Sequence, residues 1–189
     1  IASTSFGHGI NVTPLAVARA YSGLMNGGEL LPLTIKKLPA GSVVHGPRMV
    51  SEATAATLLQ IMRSNVSCTC GSGKSANVAG LNVGGKTGTG DKWDPAARRY
   101  SNTRQVSSFA AVFPTDGPLT APRYFVLILL DEPQRGGGPD PTGGIVAAPA
   151  AGRVIERIAP FLGVKRRAET MPFAPPAEVA AAANAAEEH

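Results

Sequence analysis

The sequence has few charged residues, few aromatic residues and few cysteines. Only 16% of its 189 residues are charged, against roughly 25% in an average domain. The longest purely apolar run, residues 125–130, is far shorter than the ~20 residues that a transmembrane helix needs. The two cysteines are too few for a disulfide scaffold. The chain opens without a methionine or a signal peptide, and we expect it to be a piece of a longer protein.

Glycine and proline are abundant, and the net charge is positive. The 22 glycines and 16 prolines predict generous loops. The formal net charge is +5. No Lys or Arg occurs after residue 167, whereas several Glu do, so residues 1–167 carry a larger positive charge than the chain as a whole. The basic residues are scattered and are not interleaved with aromatic residues, so we predict no nucleic-acid partner. Anionic lipid headgroups would fit the charge equally well.

The hydrophobic pattern predicts helices at both ends and strands between them. Thr13 and Pro14 suit the start of a first helix that Gly27 and Gly28 end. A second helix starts at Ser51. Three strands are expected at 78–89, 106–113 and 123–131, followed by a helix over 147–163 that Pro160 ends or kinks. Together these elements predict an α+β fold.

Two segments lack such a pattern. Residues 90–105 are polar and are expected to form a long loop, in which Trp93 and Tyr100 either form one wall of a cleft or anchor the loop. Residues 165–189 are rich in Ala, Pro and Glu and are predicted to be a disordered tail behind a folded body of residues 1–164. The strand at 123–131 is nearly all apolar, as expected of a central strand.

The residues Gly84-Gly85-Lys86-Thr87-Gly88-Thr89 at the end of the first strand suit acyl transfer to a serine. Lys86 would supply a positive charge and relay a proton beside a nucleophile. Thr87 and Thr89 lie on one face of a strand and offer hydroxyls to a carboxylate. Gly88 lets a peptide approach the strand edge, where a backbone N–H completes an oxyanion hole. The simpler interpretation is a glycine-rich strand end with a solvated lysine.

A nucleotide site is a competing interpretation. Gly71-Ser-Gly-Lys74-Ser resembles the end of a P-loop, and Asp131 after an apolar strand resembles its magnesium ligand. However, Cys68 stands where the first P-loop glycine belongs, and glycines 80, 84 and 85 interrupt the helix that should follow. An ATPase using Lys74 and Asp131 is therefore the weaker hypothesis.

Cys68 and Cys70 leave three possibilities open: a metal pair, a local disulfide or two loop thiols. The sequence has no further cysteine, which makes zinc a poor candidate. We expect neither a metal nor another cofactor.

Several segments in series resemble class B penicillin-binding proteins, most closely the septal, FtsI-like branch used in cell division. The resemblance covers roughly residues 3–164. Its segments are 5–15, Met25-Asn-Gly-Gly28, Gly71-Ser-Gly-Lys74, Gly84-Gly-Lys-Thr-Gly-Thr89, Ser108-Phe-Ala-Ala-Val-Phe-Pro114, 126–133 and Gly143-Gly-Ile-Val-Ala-Ala-Pro149.

The resemblance implies a serine D,D-transpeptidase that crosslinks peptidoglycan stem peptides through an acyl-enzyme and is acylated by β-lactams. It implies a five-stranded antiparallel sheet beside a helical subdomain, with this chain as the C-terminal part of that domain. Lys86, Thr87 and Gly88 correspond to the third of three site motifs. By the same matching, the Thr89 backbone N–H is the oxyanion donor, and Thr87 and Thr89 bind the substrate carboxylate.

The resemblance also implies binding partners and a cellular location. The partners are stem peptides, β-lactams, the missing N-terminal part of the same domain and membrane proteins of the division complex. The location is the periplasmic face of the inner membrane, with an anchor that this chain does not contain.

The sequence departs from the family pattern at the nucleophile. The family serine lies in Ser-x-x-Lys, and no serine stands three positions before any lysine here. The second motif, Ser-x-Asn, occurs only as Ser75-Ala-Asn77, which we interpret as chance. The loop at 136–142 matches loosely. We therefore expect the chain to be inactive alone and marginally folded. A serine β-lactamase and a non-catalytic docking module are the alternatives.

Overall fold

Helices flank a three-stranded antiparallel sheet. The computed structural model describes residues 10–39, 41–134 and 140–169, and for Asn102 the backbone only. Within these residues the sheet order is β1-β2-β3. The elements are α1 (Pro14–Met25), α2 (Glu52–Ser67), β1 (Gly84–Asp94), β2 (Arg99–Phe113), β3 (Tyr124–Asp131) and α3 (Ala148–Ile158), with a 3-10 turn at Lys74–Ala76 and a π-helical turn at Gly143–Ala147. The predicted α+β class is confirmed.

The first two helices begin where the sequence predicts. The Thr13 side chain accepts a hydrogen bond from the Ala16 N–H, and Pro14 is the first residue of α1. Ser51 caps α2 by accepting from the Thr54 N–H at 3.1 Å. After α1 the chain turns at Gly28, whose φ is 98°. A side chain there would also meet the Val50 carbonyl oxygen at 2.2 Å, so both the conformation and the space require glycine.

The sheet is covered on both faces. On one face α3 packs against β2, where Ile155 joins Phe109 and Phe113 in the larger cluster of buried side chains. On the other face α1 packs against β3, and α2 packs mainly against β1. There Val112 is buried with Leu59, and the Tyr21 ring stacks on Phe125 at a centroid distance of 5.1 Å. The sheet therefore lies between α3, which follows it in the sequence, and the two helices that precede it.

The first strand begins later than predicted. Residues 78–83 form turns and extended coil, and β1 starts at Gly84. The apolar residues of this segment are nevertheless buried: Val78, Leu81 and Val83 lie in the larger cluster. The buried Arg63 of α2 donates to the Val83 carbonyl at 2.9 Å. The segment resembles a strand in the sequence because its apolar residues are buried, although it does not pair with another strand among the described residues.

The polar segment 90–105 is a β-ribbon, so the prediction of a long loop is wrong. Strands β1 and β2 continue through it as far as the pair Asp94↔Arg99, with an irregularity between Asp91 and Trp93. Trp93 and Tyr100 are cross-strand partners whose rings meet edge to face at 5.4 Å. Cross-strand pairing stabilises the ribbon without apolar alternation, which is why the sequence pattern missed it.

The apolar strand β3 lies at the edge of the described sheet and not at its centre. Only β2 pairs with it among the described residues. Its side chains are half-buried or exposed, and Leu129 is 46% exposed. The expectation of a central strand therefore stays a prediction, which a further strand on the open side of β3 would fulfil.

The last helix ends at Ile158, two residues before Pro160. Phe161, which lies within the predicted helix 147–163, is 91% exposed because the chain has already left the helix. Residues 165–169, predicted to begin the disordered tail, are attached to the body: the Arg167 N–H donates to the Gly80 carbonyl at 2.8 Å, and Asn82 Nδ2 donates to the Ala168 carbonyl at 3.1 Å. The remainder of the predicted tail lies outside the described residues. None of the described helices is long and apolar enough to cross a membrane.

Candidate active site

The structure places the side chains of residues 86–89 on both faces of β1. Lys86 and Gly88 pair with Ala110 and Ser108 of β2 and share the face that α1 covers. Thr87 and Thr89 point to the opposite face, toward the π-helical turn. The prediction that the two threonines share a face agrees with this alternation.

A cavity of about 260 Å³ opens beside Lys86, between β1, β3 and the beginning of α1. Most of its walls are apolar. The lining residues are Val12, Pro14, Val17, Tyr21, Lys86, Thr87, Gly88, Ser108, Ala110, Leu127 and Leu129. An exposed ammonium group at the rim of an apolar cavity can act on a group that enters the cavity.

Lys86 is exposed, and its ammonium folds back along the strand. Its Nζ atom donates to the Thr87 carbonyl at 2.6 Å and lies 3.5 Å from Thr87 Oγ1. In the described part of the chain no carboxylate lies within ion-pair distance of it. The positive charge is therefore available to a bound ligand.

The π-helical turn lies directly against β1. The Gly143 N–H donates to Thr89 Oγ1 at 3.0 Å. A side chain on Gly143 would lie 2.6 Å from the Gly88 carbonyl oxygen. A side chain on Gly88 would meet Ser108 Oγ at 2.4 Å. Gly88 is thus needed for contacts within the protein, in addition to the predicted access for a peptide.

A hydrogen-bonded ring connects α2 with β1. Asn65 Nδ2 donates to the Gly85 carbonyl at 2.9 Å, and Asn65 Oδ1 accepts from Ser72 Oγ at 3.0 Å. Ser72 Oγ in turn lies 3.0 Å from Thr87 Oγ1. Both glycines that flank Ser72 pack against Asn65: a side chain on Gly71 would lie 2.1 Å from its carbonyl oxygen, and one on Gly73 would lie 2.9 Å from its Nδ2.

This close packing explains the glycines of the P-loop-like segment without a nucleotide. Lys74 begins a 3-10 turn of three residues, and the fully described segment 74–83 contains no α-helix whose N-terminus could face a phosphate. Asp131 is held by Lys92 at 3.0 Å. Asn77 of the chance Ser-x-Asn sequence accepts from Arg63 at 2.9 Å. These residues serve the fold in this structure.

Cys68 and Cys70 are joined by a disulfide, which decides among the three possibilities that the sequence leaves open. The bridge closes the turn that follows α2 and precedes Ser72. Among the described residues, no group of three or more His, Cys, Asp or Glu side chains is arranged to hold a metal ion.

Arg63 connects α2 to the start of β1 from inside the protein. Besides the Val83 carbonyl it contacts Asn77, and it is 1% exposed. Burial lowers the pKa of its guanidinium group, and the charges of Glu169 and Asp116 act in the opposite direction. Because this buried guanidinium group is hydrogen-bonded to the carbonyl of Val83, it fixes the position of Gly84 and of the strand residues that follow.

Sequence reasoning missed Asn65, Ser72 and Gly143 as parts of the site. Ser72 lies in a segment that the sequence did single out, for phosphate chemistry and for the family resemblance, but with no role given to the serine itself. Two glycines flanking one serine are the available signal, since they indicate a close backbone approach. Asn65 gives no local signal because it lies within a regular helix.

Comparison with known proteins gives one family. Residues 1–156 match the family described as the penicillin binding protein transpeptidase domain. The chain is 64% identical over 177 residues to a probable peptidoglycan D,D-transpeptidase FtsI from Caulobacter vibrioides. That alignment covers 92% of this chain and 30% of the relative. Stage V sporulation protein D of Bacillus subtilis is 34% identical over 88% of this chain and 26% of its own length.

Solved structures give the same picture. The transpeptidase domain of penicillin-binding protein 3 from Burkholderia pseudomallei superimposes with a TM-score of 0.74 at 33% identity, over 88% of this chain and 47% of that one. Penicillin-binding protein 3 from Mycobacterium tuberculosis, solved with aztreonam, superimposes with a TM-score of 0.70 at 29% identity, over 88% of this chain and 39% of that one. The chain therefore spans less than half the length of the proteins it resembles.

Proposed function

The chain belongs to the penicillin-binding protein transpeptidase family, and from that membership we propose that it forms part of a peptidoglycan D,D-transpeptidase of the septal type. The position of Lys86 carries the proposal: its ammonium lies on the strand that the family uses for substrate, at the rim of an open cavity. The 64% identity to a probable FtsI supports the septal assignment.

We propose that the cavity beside Lys86 receives the nucleophilic serine from another part of the same domain. This chain contains no Ser-x-x-Lys sequence, and the cavity walls, including Val17, Leu127 and Leu129, are mostly apolar. A helix that carries the serine would bury these side chains and bring its hydroxyl to the ammonium. Lys86 would then stabilise the deprotonated nucleophile and relay a proton to the leaving amine.

The outer edge of β1 suits a peptide substrate. Only β2 pairs with β1 among the described residues, and the Gly85 carbonyl on the free side is met by the Asn65 amide. Because alternate peptide groups of a strand point to the same edge, those of Thr87 and Thr89 share this side. The Thr89 N–H would stabilise the oxyanion, and hydroxyl groups of this strand would bind the carboxylate of a stem peptide or β-lactam, a role that the family resemblance gives to Thr87 and Thr89.

We further propose the partners and the location that follow from a septal transpeptidase. These are the rest of the transpeptidase domain, membrane proteins of the division complex, and a periplasmic position at the inner membrane. The family membership and the open edge of β3 support the first of them.

The proposal is tested with the full-length protein by intact mass spectrometry before and after incubation with benzylpenicillin. We expect one covalent adduct per molecule. Lys86→Ala should slow adduct formation by at least about a hundredfold, the lower range for removing a group that transfers protons. Lys92→Ala is a matched control, since this lysine of the same strand pairs with Asp131 and Glu132.

Absence of an adduct on the folded protein would overturn the proposal, as would an equal effect of Lys86→Ala and Lys92→Ala. Rapid turnover of a chromogenic cephalosporin would instead indicate a β-lactamase. A folded protein that binds stem peptides without acylation would be a docking module.

A further inference from the structure

We propose that Asn65 is a positioning residue for Lys86 and Thr87, and that Thr89 alone provides the hydroxyl hydrogen that binds a ligand carboxylate. The inference rests on the proposed function and divides between Thr87 and Thr89 a role that the family resemblance gives to both.

The orientation of the Asn65 amide is set by its partner on β1. The Gly85 carbonyl can only accept a hydrogen bond, so the group that faces it at 2.9 Å must be Nδ2. This orientation directs Oδ1 toward Ser72 Oγ at 3.0 Å. Because Oδ1 can only accept, Ser72 must donate its hydroxyl hydrogen to Asn65.

The direction of the next hydrogen bond follows. Ser72 has one hydroxyl hydrogen, and Asn65 already receives it. In the contact of 3.0 Å between Ser72 Oγ and Thr87 Oγ1, Thr87 must therefore be the donor. Its single hydrogen is used within the protein, and the lone pair that remains faces Lys86 Nζ at 3.5 Å.

The result is a chain of donors that runs in one direction, from Lys86 through Thr87 and Ser72 to Asn65. Hydrogen bonds arranged in series polarise one another, so the terminal acceptor affects the first donor. Asn65 thereby favours the conformation in which Thr87 accepts from Lys86. The glycines at 71 and 73 keep Ser72 close enough to Asn65 for this to occur.

Thr89 has the opposite arrangement. Its Oγ1 accepts from the Gly143 N–H at 3.0 Å, so the oxygen is fixed while its own hydrogen has no acceptor in the described part of the chain. Thr89 is also exposed. A fixed hydroxyl with a free hydrogen on the substrate strand is suited to donate to a carboxylate.

The test compares acylation of the full-length protein by benzylpenicillin and by its methyl ester, which has no free carboxylate. The ratio of the two second-order rate constants measures carboxylate recognition. Thr89→Val should lower this ratio about tenfold, as expected for a hydrogen bond to a charged group. Thr87→Val should slow both reactions about equally and leave the ratio within about twofold.

Asn65→Ala should behave like Thr87→Val, and the two together should cost little more than either alone, because they interrupt the same chain. Ser72→Ala interrupts it one position further along and replaces Asn65→Ala if that variant does not fold. Gln60→Ala, which removes an exposed amide from the same helix, is the control and should change neither rate.

An equal fall of the ratio in Thr87→Val and Thr89→Val would overturn the inference, as would unchanged rates in Asn65→Ala and Ser72→Ala. If the unsubstituted protein is not acylated by either compound, the proposed function fails and this inference fails with it. Acylation with the wrong pattern of ratios overturns the inference alone.

Discussion

Some positions of the candidate site require glycine because two backbone segments approach each other closely there. The clearest example is Gly143, where a side chain would lie 2.4 Å from the Ser108 carbonyl oxygen and 2.6 Å from that of Gly88. Both obstacles are backbone atoms of the sheet, which cannot rotate away. At Gly90, further along the same strand, a side chain would meet nothing within 4 Å.

Gly143→Ala should therefore displace the π-helical turn and break the hydrogen bond to Thr89. We expect a loss of about 1–3 kcal/mol in the free energy of unfolding, the range for forcing extra atoms into a packed interior, and a lower acylation rate. Gly90→Ala is the matched control. Denaturant unfolding and acylation kinetics measure the two effects, and equal stability of the two variants would contradict the account.

Among the elements, the ribbon of β1 and β2 is stabilised by its turn. Asp94 accepts from the N–H groups of Ala96 and Ala97, each at 3.0 Å, and from Arg104 Nη2 at 3.0 Å. The backbone hydrogen bond from Ala97 contributes most to lowering the pKa of the Asp94 carboxyl, and that from Ala96 and the charge of Arg104 act in the same direction, against desolvation. These bonds fix the turn that the polar sequence did not reveal.

We expect Arg104→Ala to leave the pKa of Asp94 below its ordinary value of 3.8, because the main cause is the backbone. A carboxyl group with a lowered pKa in the folded state stabilises that state above the unfolded pKa. This contribution is lost as the pH falls through the lowered value. NMR titration of the Asp94 side chain measures the shift. A complete return to the ordinary value in Arg104→Ala would show that the ion pair, and not the turn, is its origin.

At the scale of the whole molecule, the important feature is apolar surface around the edge of the described sheet. Among the described residues β3 has one neighbouring strand. Leu129 is 46% exposed, and Val12 and Leu15 near the start of α1 are each 62% exposed. An edge strand with exposed apolar side chains invites pairing with another chain or segment.

Alone in solution, the chain should be marginally stable or should associate. Calorimetry together with sedimentation measures this. We expect either a broad transition at low temperature or a mass above that of one chain. A sharp transition at high temperature with monomeric mass would contradict the expectation. Adding the remainder of the transpeptidase domain in trans should sharpen the transition, since it would cover the exposed apolar residues.

The sequence by itself determined the features that depend on short-range chemistry. Caps such as Thr13 and Ser51 predicted where α1 and α2 begin, since capping requires particular side chains within one turn of the helix. The strand residues from Lys86 to Thr89 were predicted to be a substrate site in the same way, because their chemistry and their alternation are local.

The tertiary structure alone decided what depends on long-range contacts. Val78, Leu81 and Val83 are buried in a segment of turns and extended coil, and only the fold shows that this segment is not a strand. Asn65 and Thr87 are 22 positions apart in the sequence, and packing of α2 against β1 brings them to one hydrogen-bonded ring. The ring also explains why Gly71-Ser-Gly73 resembles a P-loop: glycine is required wherever a backbone approaches another group closely, and the sequence alone cannot show which group that is.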